Sequence, residues 1–548
     1  MTEFIERNTN TNTNKEPNYF TNGFTTFENE SNSLQNLPFP GAKFGLLNLQ
    51  AVACGPLDIE HEFILTVDHS GSMDDICSDG RTKMQHVNHT LKNIINYLED
   101  NPNIKANVTI FMFDNIFDKV IDRTIVTKEN YTFILEKINK IRPRDSTNIE
   151  LALKRTNEYI SKLKTLYPDN RISHIFMTDG EATTGEADPN NLKKYIDKSV
   201  YNYFIGFGSD HDAELLKTIS SFQKSSYHYI DAIEKAGLVY GEILHSISNK
   251  LLYDCEIVIE HGLIYNYSTN LYTDRLYIGD IVGETTKVYH LFTDIPSTCY
   301  VHVKALNVNN TEVIIHIFPE DNNELNFVDY KFRHRTLVLL DEVKKFQDKY
   351  NEELFSNGGK KVNFEPIKTK MQNLFDEMMK YMDDNNDKGN KFIKTLCDDI
   401  YISKKTFGTK YGNMYINSRQ TSQGTQRIYT VNTTPYDDKK SPTPICTRSQ
   451  APNNHNDSDS DNDIGAQRCP SPSLFSFNCN NVETDNLETD NYEVSNNCME
   501  DSPYLTPSAK NVMRSISYIS EDDNNEDNNE DKNAISESDS DDSLVISP

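Results

Sequence analysis

Phe63-Ile64-Leu65-Thr66-Val67-Asp68-His69-Ser70-Gly71-Ser72-Met73 is the stretch on which the reading of this chain turns. A short apolar run bounded by turn residues reads as a buried strand. This one ends in an Asp, and two hydroxyls follow at alternate positions, Ser70 and Ser72. Two other stretches have the same character. Asp145-Ser146-Thr147-Asn148 stands before an amphipathic helix, and Ile175-Phe176-Met177-Thr178-Asp179-Gly180 closes a second apolar run. Loops at the carboxyl ends of strands therefore offer two carboxylates, Asp68 and Asp179, and three hydroxyls, Ser70, Ser72 and Thr147. Hard oxygen donors of this kind suit Mg²⁺ or Mn²⁺ rather than Zn²⁺. In an open parallel sheet, ligands bind in the crevice beyond the strand carboxyl ends. A competing reading makes the same residues ordinary polar turns, with Ser72 and Thr147 as helix N-caps.

The pattern D-x-S-x-S, then a distant Thr, then a distant T-D-G resembles the metal-ion-dependent adhesion site of the von Willebrand factor A family. Asp68, Ser70, Ser72, Thr147 and Asp179 stand at the matching positions and in the matching order. The resemblance implies a Rossmann-like, doubly wound α/β domain holding Mg²⁺ or Mn²⁺. It also implies an open coordination position that a partner's Asp or Glu can fill. His69 occupies a variable position of that loop and is expected to face solvent; His211 is expected at a helix start. A Zn²⁺ hydrolase would need nitrogen or sulfur ligands and a nearby base.

With 548 residues the chain has room for two or three domains. Its net charge of −28 argues against a general nucleic-acid binder, which needs a basic surface. Much of the excess is local: from Ala451 onward there are 22 acidic and 4 basic residues. The nine cysteines form no CxxC pairs, so reduced thiols in an intracellular protein are expected. The start of the chain carries no signal-like apolar stretch, and no apolar run approaches the ~18 residues of a membrane span.

Apolar periodicity and turn residues divide the chain as follows. Residues 1–37 are Asn- and Thr-rich and read as disordered. Residues 38–61 hold a strand that could join a later β-sandwich, the A-type domain then being inserted into it. Residues 62–250 alternate strands and helices, which favours a doubly wound, mostly parallel sheet with an antiparallel hairpin at its edge. Residues 251–328 carry short strands and read as a small β-sandwich, and residues 329–420 read as helical. A stripe of Met371, Leu374, Met378 and Met382 is read as a packing face. Residues 421–548 read as an acidic disordered tail.

Two further segments, 204–212 and 411–422, resemble an intracellular branch of the family that includes plant RING-type ubiquitin ligases. No Cys/His array with RING spacing is present, so ligase activity does not carry over. Gly206-Phe207-Gly208 lacks the third Gly of a dinucleotide fingerprint and reads as a tight turn. Ser460, Ser520, Ser536 and Ser538 precede acidic residues, as acid-directed kinases favour. A tail carboxylate reaching the metal of its own or a neighbouring chain is a further expectation. The function expected is thus a non-enzymatic, divalent-metal-dependent protein-binding module. Alternatives are a scaffold subunit of a larger, ubiquitin-related complex, or a structural component of a viral particle.

Overall fold

The computed structural model describes residues 18–28, 34, 37–55, 59–77, 80–144, 146–207, 211–230, 236–320, 325–356, 363–427, 492, 494, 502 and 504–517. The acidic Ser clusters at 460, 520, 536 and 538 lie outside them, as do Asp145, 208–210 and the tail cysteines.

Two strands open the described chain, β1 (Phe20–Phe27) and β2 (Lys43–Ala51). An α/β domain follows. Its elements are β3 (His61–Asp68), α1 (Lys83–Asp100), β4 (Ala106–Phe113), β5 (Phe117–Ile125), α2 (Tyr131–Asn139) and α3 (Ile149–Leu166). They continue with β6 (Arg171–Thr178), α4 (Pro189–Leu192), β7 (Tyr201–Phe207), α5 (Ala213–Ile219), β8 (Ser225–Ile230) and α6 (Ala236–Ser248). The sheet order is β5-β4-β3-β6-β7-β8, and every pairing is parallel except that of β5 with β4. This is the doubly wound, Rossmann-like fold that the alternating elements predict and that the resemblance to the von Willebrand factor A family implies. Every residue of β3 and of β4 is buried, because helices cover both faces of a parallel sheet. Fully burying a Leu, Ile, Val or Phe contributes about 1.5–3 kcal/mol, so Phe63, Leu65, Val67, Val108 and Ile110 anchor the sheet. Strand order reverses around β3, which has β4 on one side and β6 on the other; the crevice at its carboxyl end is the topological switch point.

The chain then builds β9 (Lys250–Glu260), β10 (Leu263–Asn266), β11 (Leu271–Thr273), β12 (Arg275–Val282), β13 (Thr286–Thr293), β14 (Tyr300–Leu306) and β15 (Glu312–Pro319). With β1 and β2 these form one nine-stranded sheet, ordered β11-β10-β13-β2-β1-β15-β14-β9-β12. β2 runs antiparallel to β13, with Leu47 opposite Tyr289, so segments on both sides of the α/β domain share this sheet. The sheet curls until β10 meets β9 and β12, enclosing Leu47, Leu49, Ile257, Val301 and Val303. β1 corrects the expectation of disorder through residue 37. Phe20 and Phe24 are buried, and β1 bridges β2 and β15. β10 and β11 were too short for the sequence pattern to mark.

Four helices complete the body: α7 (Phe327–Ser356), α8 (Glu365–Asp384), α9 (Lys391–Lys405) and α10 (Lys410–Thr425). Met371, Leu374, Met378 and Met382 all face inward, into a core shared with Leu340, Val343 and Ile400. The segment 411–422 owes its character to packing. Arg419 is buried against Asp399, Gly412 lies against the Thr406 backbone, and Gln420 reaches Tyr267 O and Asp341. Within the stretch expected to be a disordered tail, α10 continues to Thr425, and an eleven-residue helix, α11 (Pro507–Ser517), packs on α6. Its apolar residues recur at helical spacing, a signal hidden among the surrounding Asp, Asn and Ser.

Candidate functional site

Asp68 ends β3, and Thr178 ends the neighbouring β6 with Asp179 next in sequence, so parallel pairing brings both carboxylates to the same sheet edge. Asp68 is fully buried and doubly held: Ser70 N donates to its Oδ1 at 2.8 Å, and Thr178 Oγ1 to its Oδ2 at 2.6 Å. Ser70 Oγ and Ser72 Oγ are 3.1 Å apart, and Ser72 Oγ donates to Asp179 Oδ1 at 2.8 Å. The chain Ser70–Ser72–Asp179 is thus continuous. Met73, at 0% exposure, plugs the turn that carries these hydroxyls into the core.

Thr147 comes from the loop before α3. A Cβ placed on Gly180 would stand 3.7 Å from Thr147 Oγ1 and 3.8 Å from Ser72 Oγ, so the two hydroxyls face one small cradle over Gly180. The Thr147 backbone is fixed by Thr183: Thr147 N donates to Thr183 Oγ1 at 2.8 Å, and Thr183 N to Thr147 O at 3.0 Å. All five residues singled out from the sequence therefore occupy one crevice. Helix capping is done by other side chains. Thr82 and Gln85 form the capping box of α1, and Asn148 accepts from Leu151 N at 2.9 Å to cap α3. The hydroxyls of Ser72 and Thr147 are not used as caps.

Burial, and then the charge of Asp179, push the Asp68 carboxyl up to about 7, against the pull of its hydrogen bonds to Thr178 and Ser70. Two buried carboxylates and three neutral hydroxyls form an all-oxygen donor set that lacks positive charge at Asp68, which fits a hard divalent cation. Among the described residues no three His, Cys, Asp or Glu side chains cluster as a metal site.

Three neighbours escaped the sequence reading. Thr178 was quoted within its motif without a role, and it binds Asp68. Lys83, the first residue of α1, donates to Asp179 Oδ2 at 2.8 Å and to Asp75 Oδ2 at 2.9 Å. Arg144 Nε donates to Asp114 Oδ2 at 2.8 Å, and Arg144 N to His69 O at 2.7 Å. This last group corrects the expectation for His69, which is buried at 5% exposure. Its Nε2 lies 3.1 Å from Arg144 Nη2 and 3.5 Å from Asp114, tying the β3 loop to the loop before α3. His211 is also interior, at 0% exposure and 2.7 Å from Tyr227 Oη. Gly206 ends up beneath it: any Cβ there would enter the His211 ring.

Residues 63–238 match the family model of the von Willebrand factor type A domain, and they form such a domain. The chain is 28% identical over 200 residues to an uncharacterized protein of Synechocystis sp., covering 36% of this chain and 44% of that protein. It is 27% identical over 146 residues to inter-alpha-trypsin inhibitor heavy chain H3 of Rattus norvegicus, covering 25% and 16%. The match thus spans less than half the length of these curated relatives. Among solved structures, a von Willebrand factor type A protein from Catenulispora acidiphila aligns with TM-score 0.43 and 15% identity, over 64% of this chain and 85% of that one. The ArnB paralog VWA2 from Sulfolobus acidocaldarius aligns with TM-score 0.41 and 13% identity, over 70% and 94%.

Proposed function

We propose that this chain is a non-enzymatic protein-binding module whose recognition depends on a divalent cation, Mg²⁺ or Mn²⁺. Domains of this family generally mediate protein–protein interaction, and the oxygen set supports that reading here. Asp68, Ser70, Ser72, Thr147 and Asp179 would hold the cation. Bound there, it would offer a Lewis-acidic position to an Asp or Glu carboxylate of a partner.

The observation that carries the proposal is the convergence over Gly180. Ser72 Oγ, engaged with Asp179, and Thr147 Oγ1 face the same cradle from separate loops. Thr178 and the Ser70 amide hold Asp68 in place, so the donors are positioned before any ligand arrives. The Ser70 and Ser72 hydroxyls engage each other, and that of Ser72 engages Asp179. The nearest loop histidine, His69, is committed to Arg144 and Asp114, an arrangement for binding rather than nucleophilic attack. The described cysteines Cys54, Cys77, Cys255, Cys299 and Cys397 are free thiols, which supports a reducing, intracellular setting.

Affinity capture with the full chain tests the reading in three arms: Mg²⁺, EDTA, and Asp179→Ala in Mg²⁺. A partner recovered only by the unaltered chain in Mg²⁺ is expected. Equal recovery in all three arms would overturn the proposal.

A further inference from the structure

Helix α11 is seated on α6 and α1 in a way that ordinary packing does not require. Gly237 and Gly241 lie one turn apart on α6, and both lie against α11. A Cβ on Gly241 would fall 2.5 Å from Met513 Cα, and one on Gly237 would fall 2.8 Å from Ile516 O. The backbones therefore meet without intervening side chains. Ala509, Val512, Met513 and Ile516, at i, i+3, i+4 and i+7, are buried, while Asn511, Arg514 and Ser515 are exposed.

Polar groups fix the register at both ends. Asn93 of α1 donates to Ile516 O at 2.8 Å in a buried bond. Ser508 Oγ donates to Glu284 Oε2 at 2.6 Å and stands 2.9 Å from His245 Nε2. Thr506 caps the helix, accepting from Ala509 N at 3.3 Å. Just upstream, Tyr504 Oη donates to Gln423 of α10 at 3.1 Å.

An isolated helix shorter than about 12–15 residues is marginal in water, so eleven residues are helical here because they are docked. Upstream, Tyr492 Oη donates to Asp398 at 2.7 Å and Val494 packs against the α/β core, so a released helix stays tethered within about a dozen residues of its groove, a closure that costs little entropy. The contact also lies away from the metal crevice. Asn93 is ten residues beyond Lys83, about 15 Å along α1.

We propose that the face formed by α1 and α6 is a second binding surface, specific for a short amphipathic helix, and that its resident ligand is the chain's own segment 506–517, bound reversibly. The glycine pair demands close backbone approach. Asn93 demands a free carbonyl at the helix end, and Glu284 with His245 demands a hydroxyl at its start.

The test uses full-length protein and a fluorescent synthetic peptide of residues 502–518. Ser508→Asp sets a carboxylate against Glu284 and loosens the resident helix while leaving the groove intact. Gly241→Ala fills the groove itself and raises the intrinsic helix propensity of α6. Ser508→Asp protein is expected to bind the peptide at least tenfold more tightly than the unaltered chain, whose own helix competes. Trypsin is expected to cut it faster at Lys510 and Arg514. Gly241→Ala protein is expected to bind no peptide and to show the same rapid cleavage, with its thermal transition retained. Gly237→Ala serves if Gly241→Ala fails to fold. Peptide binding by either glycine variant, or none by Ser508→Asp, would overturn the proposal.

Discussion

Lys83 Nζ lies 2.8 Å from Asp179 Oδ2, which puts an internal cation on one of the two carboxylates of the crevice. Burial works against that ammonium, yet Asp179 and Asp75 outweigh it and raise its pKa. Two unit charges about 4 Å apart interact by about 4 kcal/mol at an effective dielectric near 20. Removing this positive charge should leave a site more attractive to a divalent cation. Lys83→Met is expected to tighten Mn²⁺ binding about tenfold, read by titration calorimetry. Weaker binding would mean that Lys83 is needed to hold Asp179 in place.

Buried histidines give the fold a defined acid limit. Burial holds His174 and His245 down to about 4; burial with nearby Lys250 and Arg171 does so for His61; burial with Arg333 takes His334 to about 3. In the unfolded chain these rings take up protons near pH 6.5. The contribution of these rings is therefore full above about pH 6.5 and falls as pH drops toward 4, by about 1.4 kcal/mol per pH unit for each ring, while the raised Asp68 carboxyl works the other way in the same window and offsets about one ring. Urea midpoints measured across that window should fall steeply. His174→Gln, which removes one such ring, should flatten the slope, and an unchanged slope would contradict the assignment.

Arg419 and Asp399 form an ion pair at 1% exposure each, joined by Gln423 Nε2 at 2.9 Å from Asp399 Oδ2. Burial raises the Asp399 pKa despite its partner. Removing one member strands the other, so Arg419→Met should cost about 3–5 kcal/mol in denaturant unfolding. Adding Asp399→Leu should recover most of that loss, because a buried pair is replaceable by apolar groups of similar volume. A double variant as unstable as the single one would show that the pair itself is indispensable.

The α/β domain was legible because its signals are local. Phe63 to Val67 is a continuous apolar run, Asp68 to Ser72 follows directly, and Met84, Val87, Leu91 and Ile95 repeat at helical spacing. Thr147 and Asp179 could be placed because loop and strand order are properties of the chain. What escaped depends on tertiary partners. Nothing beside Lys83 in sequence points to Asp179, and His69 is turned inward by Arg144 and Asp114, which are distant in the chain. Likewise β1 is a strand because β2 and β15 flank it, and α11 is a helix because α6 offers two glycines.

The most direct test of the account is a calorimetric titration of the full chain with Mn²⁺, beside Asp68→Asn, Asp179→Asn and Thr147→Ala. The account expects one site in the unaltered protein, lost in both Asp variants and weakened at least tenfold in Thr147→Ala, with their thermal transitions retained. No binding by the unaltered chain, or binding that survives Asp68→Asn and Asp179→Asn, would contradict it.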